Sequence, residues 1–180
     1  MLMKMLEAGG VPVLADAIRQ ADIDNPNGYY ELESVKQFKK VEDAGWEQPP
    51  QGKAVKVISE LLLHLPAGQR YKVLLVNRDL DEVIASQNKM LERRGHPVEN
   101  DKDEMMKALF EKHLRLSKAW LREQPNFELL ELDHREVLSH PLQQACRIAD
   151  FVGLALKTEA MADVVDPRLY RSRAAATAKL

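Results

Sequence analysis

A short apolar run that ends in a cation and turns at once into a capped helix constrains this 180-residue sequence more than any other feature. Tyr71–Val76 (YKVLLV) is short, rich in valine and leucine, and bounded by polar residues, the pattern of a strand buried on both faces. Arg78 follows at the carboxyl end of that strand, where open α/β sheets hold their ligands. Asp79 with Glu82 three residues later is a capping-box pattern, so a helix begins here and runs over Leu80–Arg93. Its apolar positions are Val83, Ile84, Met90 and Leu91.

The same alternation recurs along the chain. Ala54–Ile58 (AVKVI) and Phe127–Leu132 (FELLEL) read as further strands. Helices are expected at Met1–Ala8, Glu33–Val41, Glu60–Leu65, Lys102–Arg122 and Pro141–Val152, the last stopped by Gly153. The Lys102–Arg122 helix carries an apolar stripe through Met106, Phe110, Leu114 and Leu121. Val11–Leu14 is a short extended segment, and Asp22–Gly28 and Ala44–Gly52 carry loop chemistry. Strands alternating with helices specify an α/β fold, a parallel sheet with helices on both faces. We expect one domain over residues 1–165 and a frayed tail over 166–180.

Composition narrows the function. Twenty-six Lys and Arg against 28 Asp and Glu leave a net charge of −2, so nucleic acid is not the expected partner. Apolar runs such as Leu61–Leu63 are far too short for a bilayer, and no signal-peptide pattern is visible. Five histidines and one cysteine show no metal-ligand spacing. The single cysteine, Cys146, fits a reducing compartment and falls in the periodic run Leu142–Phe151, which predicts a buried helix position. The expectation is a cytoplasmic, metal-free protein with no membrane partner.

Two placements carry chemistry. Ser86 lies seven residues after Asp79, nearly two helical turns, and so falls on the same face. Arg78 and Ser86 can thus converge on one anion, a forked cation and a hydroxyl donor. The alternative is an arginine in a salt bridge and a serine facing water. Lys56 stands inside an apolar strand and must reach water, an acid or a ligand, because an unpaired buried ammonium is costly. A lysine snorkelling from an edge strand is the competing reading.

Strand, Arg-Asp, then Val-x-x-Ser eight residues after the arginine resembles the sulfotransferase motif that grips the 3′-phosphate of 3′-phosphoadenosine 5′-phosphosulfate. The likeness extends to NPNGYYE (Asn25–Glu31), to the strand and helix of Lys53–Leu65, and to LLELDHREVLSHPLQQACRIADFVG (Leu129–Gly153). This resemblance implies a sulfotransferase-like fold in which Arg78 and Ser86 bind the cofactor and Lys56 lies near the transferred group. The family pattern Lys-x-Pro is only partly met by Lys56-Val57-Ile58. Glu31 is implied as the base on a hydroxyl or amine acceptor, with Glu33 its rival, and Tyr29 and Tyr30 line either an acceptor pocket or the core. Arg171, within RLYRSR (Arg168–Arg173), matches a late basic segment that covers the nucleotide, unless it is simply a solvated tail.

One family element is missing. No Gly-x-Pro-Arg-Ser-Gly-Thr-Ser-like loop for the 5′-phosphosulfate is present, and the sequence opens on the helix that should follow that loop. The resemblance implies that a central strand is lacking too, which would leave two strand edges open to self-association. The chain then reads as a sulfotransferase whose start is not included. It reads alternatively as a non-catalytic remnant acting as a binding or interaction module, or, more distantly, as a nucleotide kinase relative.

Overall fold

The computed structural model describes residues 1–16, 18, 21–22, 25–26, 28–39, 46, 50–98 and 100–170. Among them the order is α1 (Leu2–Ala8), β1 (Val13–Leu14), α2 (Glu33–Gln37), β2 (Ala54–Val55), β3 (Tyr71–Asn77), α3 (Leu80–Arg93), α4 (Asp103–Glu123), β4 (Phe127–Asp133), α5 (His134–Ser139), α6 (Pro141–Val152) and α7 (Thr158–Asp163). Short 3₁₀ turns occupy Ser59–His64, Asn100–Lys102 and Pro167–Leu169. Parts of the expected Asp22–Gly28 and Ala44–Gly52 loops, the expected end of the second helix at Lys40–Val41, and Arg171 with the tail after it lie outside the described residues.

The chain is an α/β fold with parallel strands, but the strands do not form one sheet. β1 pairs with β2 over Val13↔Ala54 and Leu14↔Val55, and β3 pairs with β4 from Tyr71↔Phe127 to Asn77↔Asp133. These are two separate two-stranded parallel sheets. Helices cover both faces of the β3–β4 pair. Leu74, Val76, Leu130 and Leu132 pack into a core with Met5, Leu6, Val137, Ala145, Ile148 and Met161, contributed by α1, α5, α6 and α7. On the opposite face Phe127 meets Trp120 of α4 edge-on, and Glu131 pairs with Lys118 of the same helix. Alternate residues along one strand thus serve two helical layers. A second core joins Val35 and Phe38, in and after α2, to Leu61 of the first 3₁₀ turn, with Val55 and Val57 against it.

Local chemistry sets the boundaries. Asp79 caps α3 by accepting from the Asp81 and Glu82 amides, and Asp133 caps α5 by accepting from those of Arg135 and Glu136. Pro141 opens α6, and Gly153 closes it in the left-handed region (φ 71°) that glycine alone adopts freely.

Two expectations are corrected. Cys146 is exposed, not buried. The inward face of α6 is Gln144, Ala145 and Ile148, and one residue past Ala145 turns about 100° outward at 3.6 residues per turn. The Glu60–Leu65 helix is a 3₁₀ turn over Ser59–His64, cut short by Pro66, though it still buries Leu61 and Leu62.

Candidate functional site

The carboxyl ends of β3 and β4 carry a charged cluster built around one carboxylate. Glu82, in the first turn of α3, has a fully buried side chain. Arg78 Nε donates to its Oε2 at 3.3 Å, and Arg135 Nη2, from α5, donates to its Oε1 at 2.7 Å. The Tyr170 hydroxyl donates to the same Oε1 and accepts from Arg135 Nε at 3.1 Å. The Arg78 guanidinium lies 5.5 Å from the Tyr170 ring centroid, a cation–π contact. Arg135 also approaches Asp79 at 3.5 Å.

This network holds protons in place. Desolvation, then the Glu82 bond, pushes the Tyr170 phenol above its ordinary pKa, so it stays a donor. Hydrogen bonds to Glu82 and Tyr170 push the Arg135 guanidinium further above its usual value. His134 packs edge-on against Tyr170, at 5.3 Å between ring centres. Burial, followed by the Arg78 charge, lowers its pKa, which favours a neutral ring, and its Nδ1 is buried without a hydrogen-bond partner.

The expected residues divide between this cluster and a cleft. Arg78 stands at the end of β3 as anticipated, but its contact is the buried Glu82, and Ser86 is exposed one helical turn beyond Glu82. No bond joins Arg78 to Ser86 among the described residues: Arg78 pairs with Glu82, and Ser86 faces water. Lys56 donates to the Tyr29 carbonyl at 2.8 Å, and both residues line a cleft of about 570 Å³ between β2 and β3. Tyr30 lines it too. Its φ of 51° is uncommon for a bulky residue, and its hydroxyl donates to Glu7 at 2.8 Å. Burial and that bond push its pKa up to about 12. Glu31 is not in the cleft lining: Lys36 bonds its carboxylate at 3.3 Å and that of its rival Glu33 at 2.8 Å.

Sequence reasoning missed the partners that organise the site. Arg135 and Tyr170 lie 53 and 88 residues from Glu82, a separation no local pattern reveals. It also missed Glu131, whose carboxylate meets Lys118 and Arg122 at 2.7 Å and Asn77 at 3.1 Å.

Comparisons with family models, curated proteins and solved structures gave no match to this chain. Among the described residues no His, Cys, Asp and Glu group is placed to hold a metal ion, and no helix is long and apolar enough to cross a membrane.

Proposed function

We propose that this chain is a sulfotransferase-like α/β domain that binds the 3′-phosphate of 3′-phosphoadenosine 5′-phosphosulfate at the carboxyl ends of β3 and β4. One observation carries the reading: Arg78 directly follows the parallel strand β3 and precedes the Asp79-capped α3, with a second arginine, Arg135, on the same carboxylate. The buried Glu82 aligns both guanidiniums before any ligand arrives, which lowers the ordering cost of binding. Arg78 is 26% exposed and Arg135 55%, so both have surface to offer an anion. Ser86, on the exposed side of α3, adds a hydroxyl donor.

The donor, when bound, supplies an activated sulfuryl group. The residues present fit its 3′-phosphate end. The sequence holds no Gly-x-Pro-Arg-Ser-Gly-Thr-Ser-like loop for its 5′ end. In this reading Lys56 faces the reacting group from the cleft, and the acceptor is a small hydroxyl or amine compound. A second reading, a binding module without catalysis, is favoured by the engagement of Glu31 with Lys36, away from the cleft lining.

Calorimetry with adenosine 3′,5′-bisphosphate and adenosine 5′-monophosphate tests the site. The bisphosphate should bind more tightly. Arg78→Ala should weaken it by about 1.5–3 kcal/mol, the range for hydrogen bonds to charged groups, and Ser86→Ala by about 1 kcal/mol. Equal affinity for the two nucleotides, or wild-type affinity in Arg78→Ala, overturns the assignment.

A further inference from the structure

We propose that the outer face of α4 is the contact surface of a symmetric dimer, in which the α4 helices of two copies of this chain pack antiparallel. The inference stands apart from the nucleotide reading, because none of its residues lines the cleft or belongs to the arginine cluster.

α4 carries apolar residues on two faces. Its inner face holds the buried Ser117 and Leu121 against the sheet, with Trp120 edge-on to Phe127. On the outer face Met105, Leu109 and Leu116 are each more than half exposed. A helix turns about 100° per residue, so Leu109 and Leu116 return to within about 40° of Met105. The three form one stripe. With Lys112 the spacing is four, three and four residues, that of a coiled-coil seam. The 3₁₀ turn Ser59–His64 packs on the same helix, where His113 Nε2 lies 2.8 Å from Ser59 Oγ. That turn and the residue before it bring two more side chains that are over half exposed, Leu63 and Ile58. The outer side of a surface helix is ordinarily polar, and apolar groups gathered there gain by association.

The flanking charges select a second copy. Glu104, Glu111, Arg115 and Arg122 fall on one side of the seam, within about 40° of one another. The two acids stand in the amino-terminal half of α4 and the two arginines in the carboxyl-terminal half. A two-fold axis crossing α4 between Lys112 and Leu114 reverses one helix on the other and keeps the charged side of both copies together. Glu104 of one copy then faces Arg122 of the other, and Glu111 faces Arg115, each pair occurring twice. The same axis sets Leu109 opposite Leu116. Parallel helices would place the two charged sides apart and lose all of these pairs. Arg122 keeps its own-chain contact with Glu131 and has a second edge to offer, since its side chain is largely exposed.

The contact is small. Five apolar side chains from each copy fall at the low end of specific interfaces, and Lys112 places a charge in the seam at a cost in stability. The dimer therefore dissociates on dilution, with a constant on the order of 10–100 µM.

Sedimentation velocity of the 180-residue chain from about 5 to about 500 µM should show monomer passing to dimer and no further. Leu109→Lys and Leu116→Lys, both at exposed positions, should each weaken the dimer at least about tenfold. At low concentration their urea midpoints should stay near that of the parent chain. Lys112→Leu should tighten the dimer about tenfold or more, because it completes the seam. Glu104→Arg with Glu111→Arg, and Arg115→Glu with Arg122→Glu, should each dimerise several-fold more weakly at low salt. An equimolar mixture of these two double variants should associate better than either alone. A chain still monomeric at the top concentration, or a dimer indifferent to Leu109→Lys and Leu116→Lys, overturns the proposal. So does a Lys112→Leu dimer no tighter than the parent, or a mixture no stronger than its components. The adenosine 3′,5′-bisphosphate titration reads a separate surface, so either result can fail alone.

Discussion

Arg135 reaches from α5 to the buried carboxylate of Glu82 on α3, 53 residues earlier, with Nη2 2.7 Å from Oε1. Arg78 holds the other oxygen, so one carboxylate ties the segment after β3 to the segment after β4. A buried ion pair contributes little beyond a well-packed apolar core, but removing one partner strands the other. Glu82→Ala is therefore expected to destabilise the chain by about 3–5 kcal/mol, read from urea unfolding. Asp79→Ala, which removes only the α3 cap and a looser 3.5 Å contact with Arg135, should cost about 0.5–2 kcal/mol. Equal costs would show that Glu82 acts as a helix-start residue and not as the hub.

Gly9 is set by contact, not by backbone angle. Its φ of −70° suits any residue, but a Cβ there would lie 2.7 Å from Met161 Sδ and 2.8 Å from its Cγ. Met161 is fully buried in the core that α1 shares with α6 and α7. Gly9→Ala should lower stability by about 1–3 kcal/mol through overpacking. An unchanged urea midpoint would mean that Met161 finds another rotamer at no cost.

The legible parts of this fold were those governed by neighbours in sequence. The bounds Leu80–Arg93 and Pro141–Val152 follow from Asp79, Pro141 and Gly153, and the helices match them residue for residue. The strands at Tyr71 and Phe127 were equally plain, each extending one residue further than expected. What failed depended on partners far along the chain. Ala54–Ile58 has strand composition but forms only two residues of ladder, because pairing needs a neighbour that composition does not supply. Glu82 had the look of a capping-box glutamate, and only the fold shows that it turns to two arginines and a tyrosine. Cys146 was misplaced because Leu142, 45% exposed, suggested the wrong apolar face of α6. The short helices α5 and α7, of six residues each, carry too few turns to show a period.

Glu131 is the carboxylate on the α4 face of the sheet. Hydrogen bonding to Lys118 leads the effects that hold its pKa below the ordinary 4.5, with Asn77 and Arg122 assisting. A depressed carboxylate contributes stability above its unfolded pKa and loses it as pH falls through the folded value. Glu131→Gln should therefore flatten the acid limb below about pH 4.5. It should leave stability near pH 6 less sensitive to salt, since two ion pairs are gone. An acid limb unchanged in the variant would show that other carboxylates set it.

His134 predicts a second acid limb, at higher pH. Burial lowers its pKa from the ordinary 6.5, and the Arg78 cation lowers it further, while Glu82 and Asp133 act in the opposite sense. The net result is a ring more readily protonated when unfolded than when folded. Below 6.5 the unfolded chain takes up the proton first, so stability must fall as pH drops from about 6.5 toward the folded value and level off beneath it. The neutral ring is also the form that fits the site, since its buried Nδ1 has no partner and a second N–H there would have no acceptor. His134→Gln cannot titrate and should abolish this limb while leaving the Glu131 limb below about pH 4.5 in place. Urea midpoints measured from pH 8 downward separate the two, because the His134 limb begins near pH 6.5 and the Glu131 limb only below about pH 4.5. A wild-type profile flat between pH 7 and pH 5, or a His134→Gln profile with the same slope as wild type, would sink the assignment.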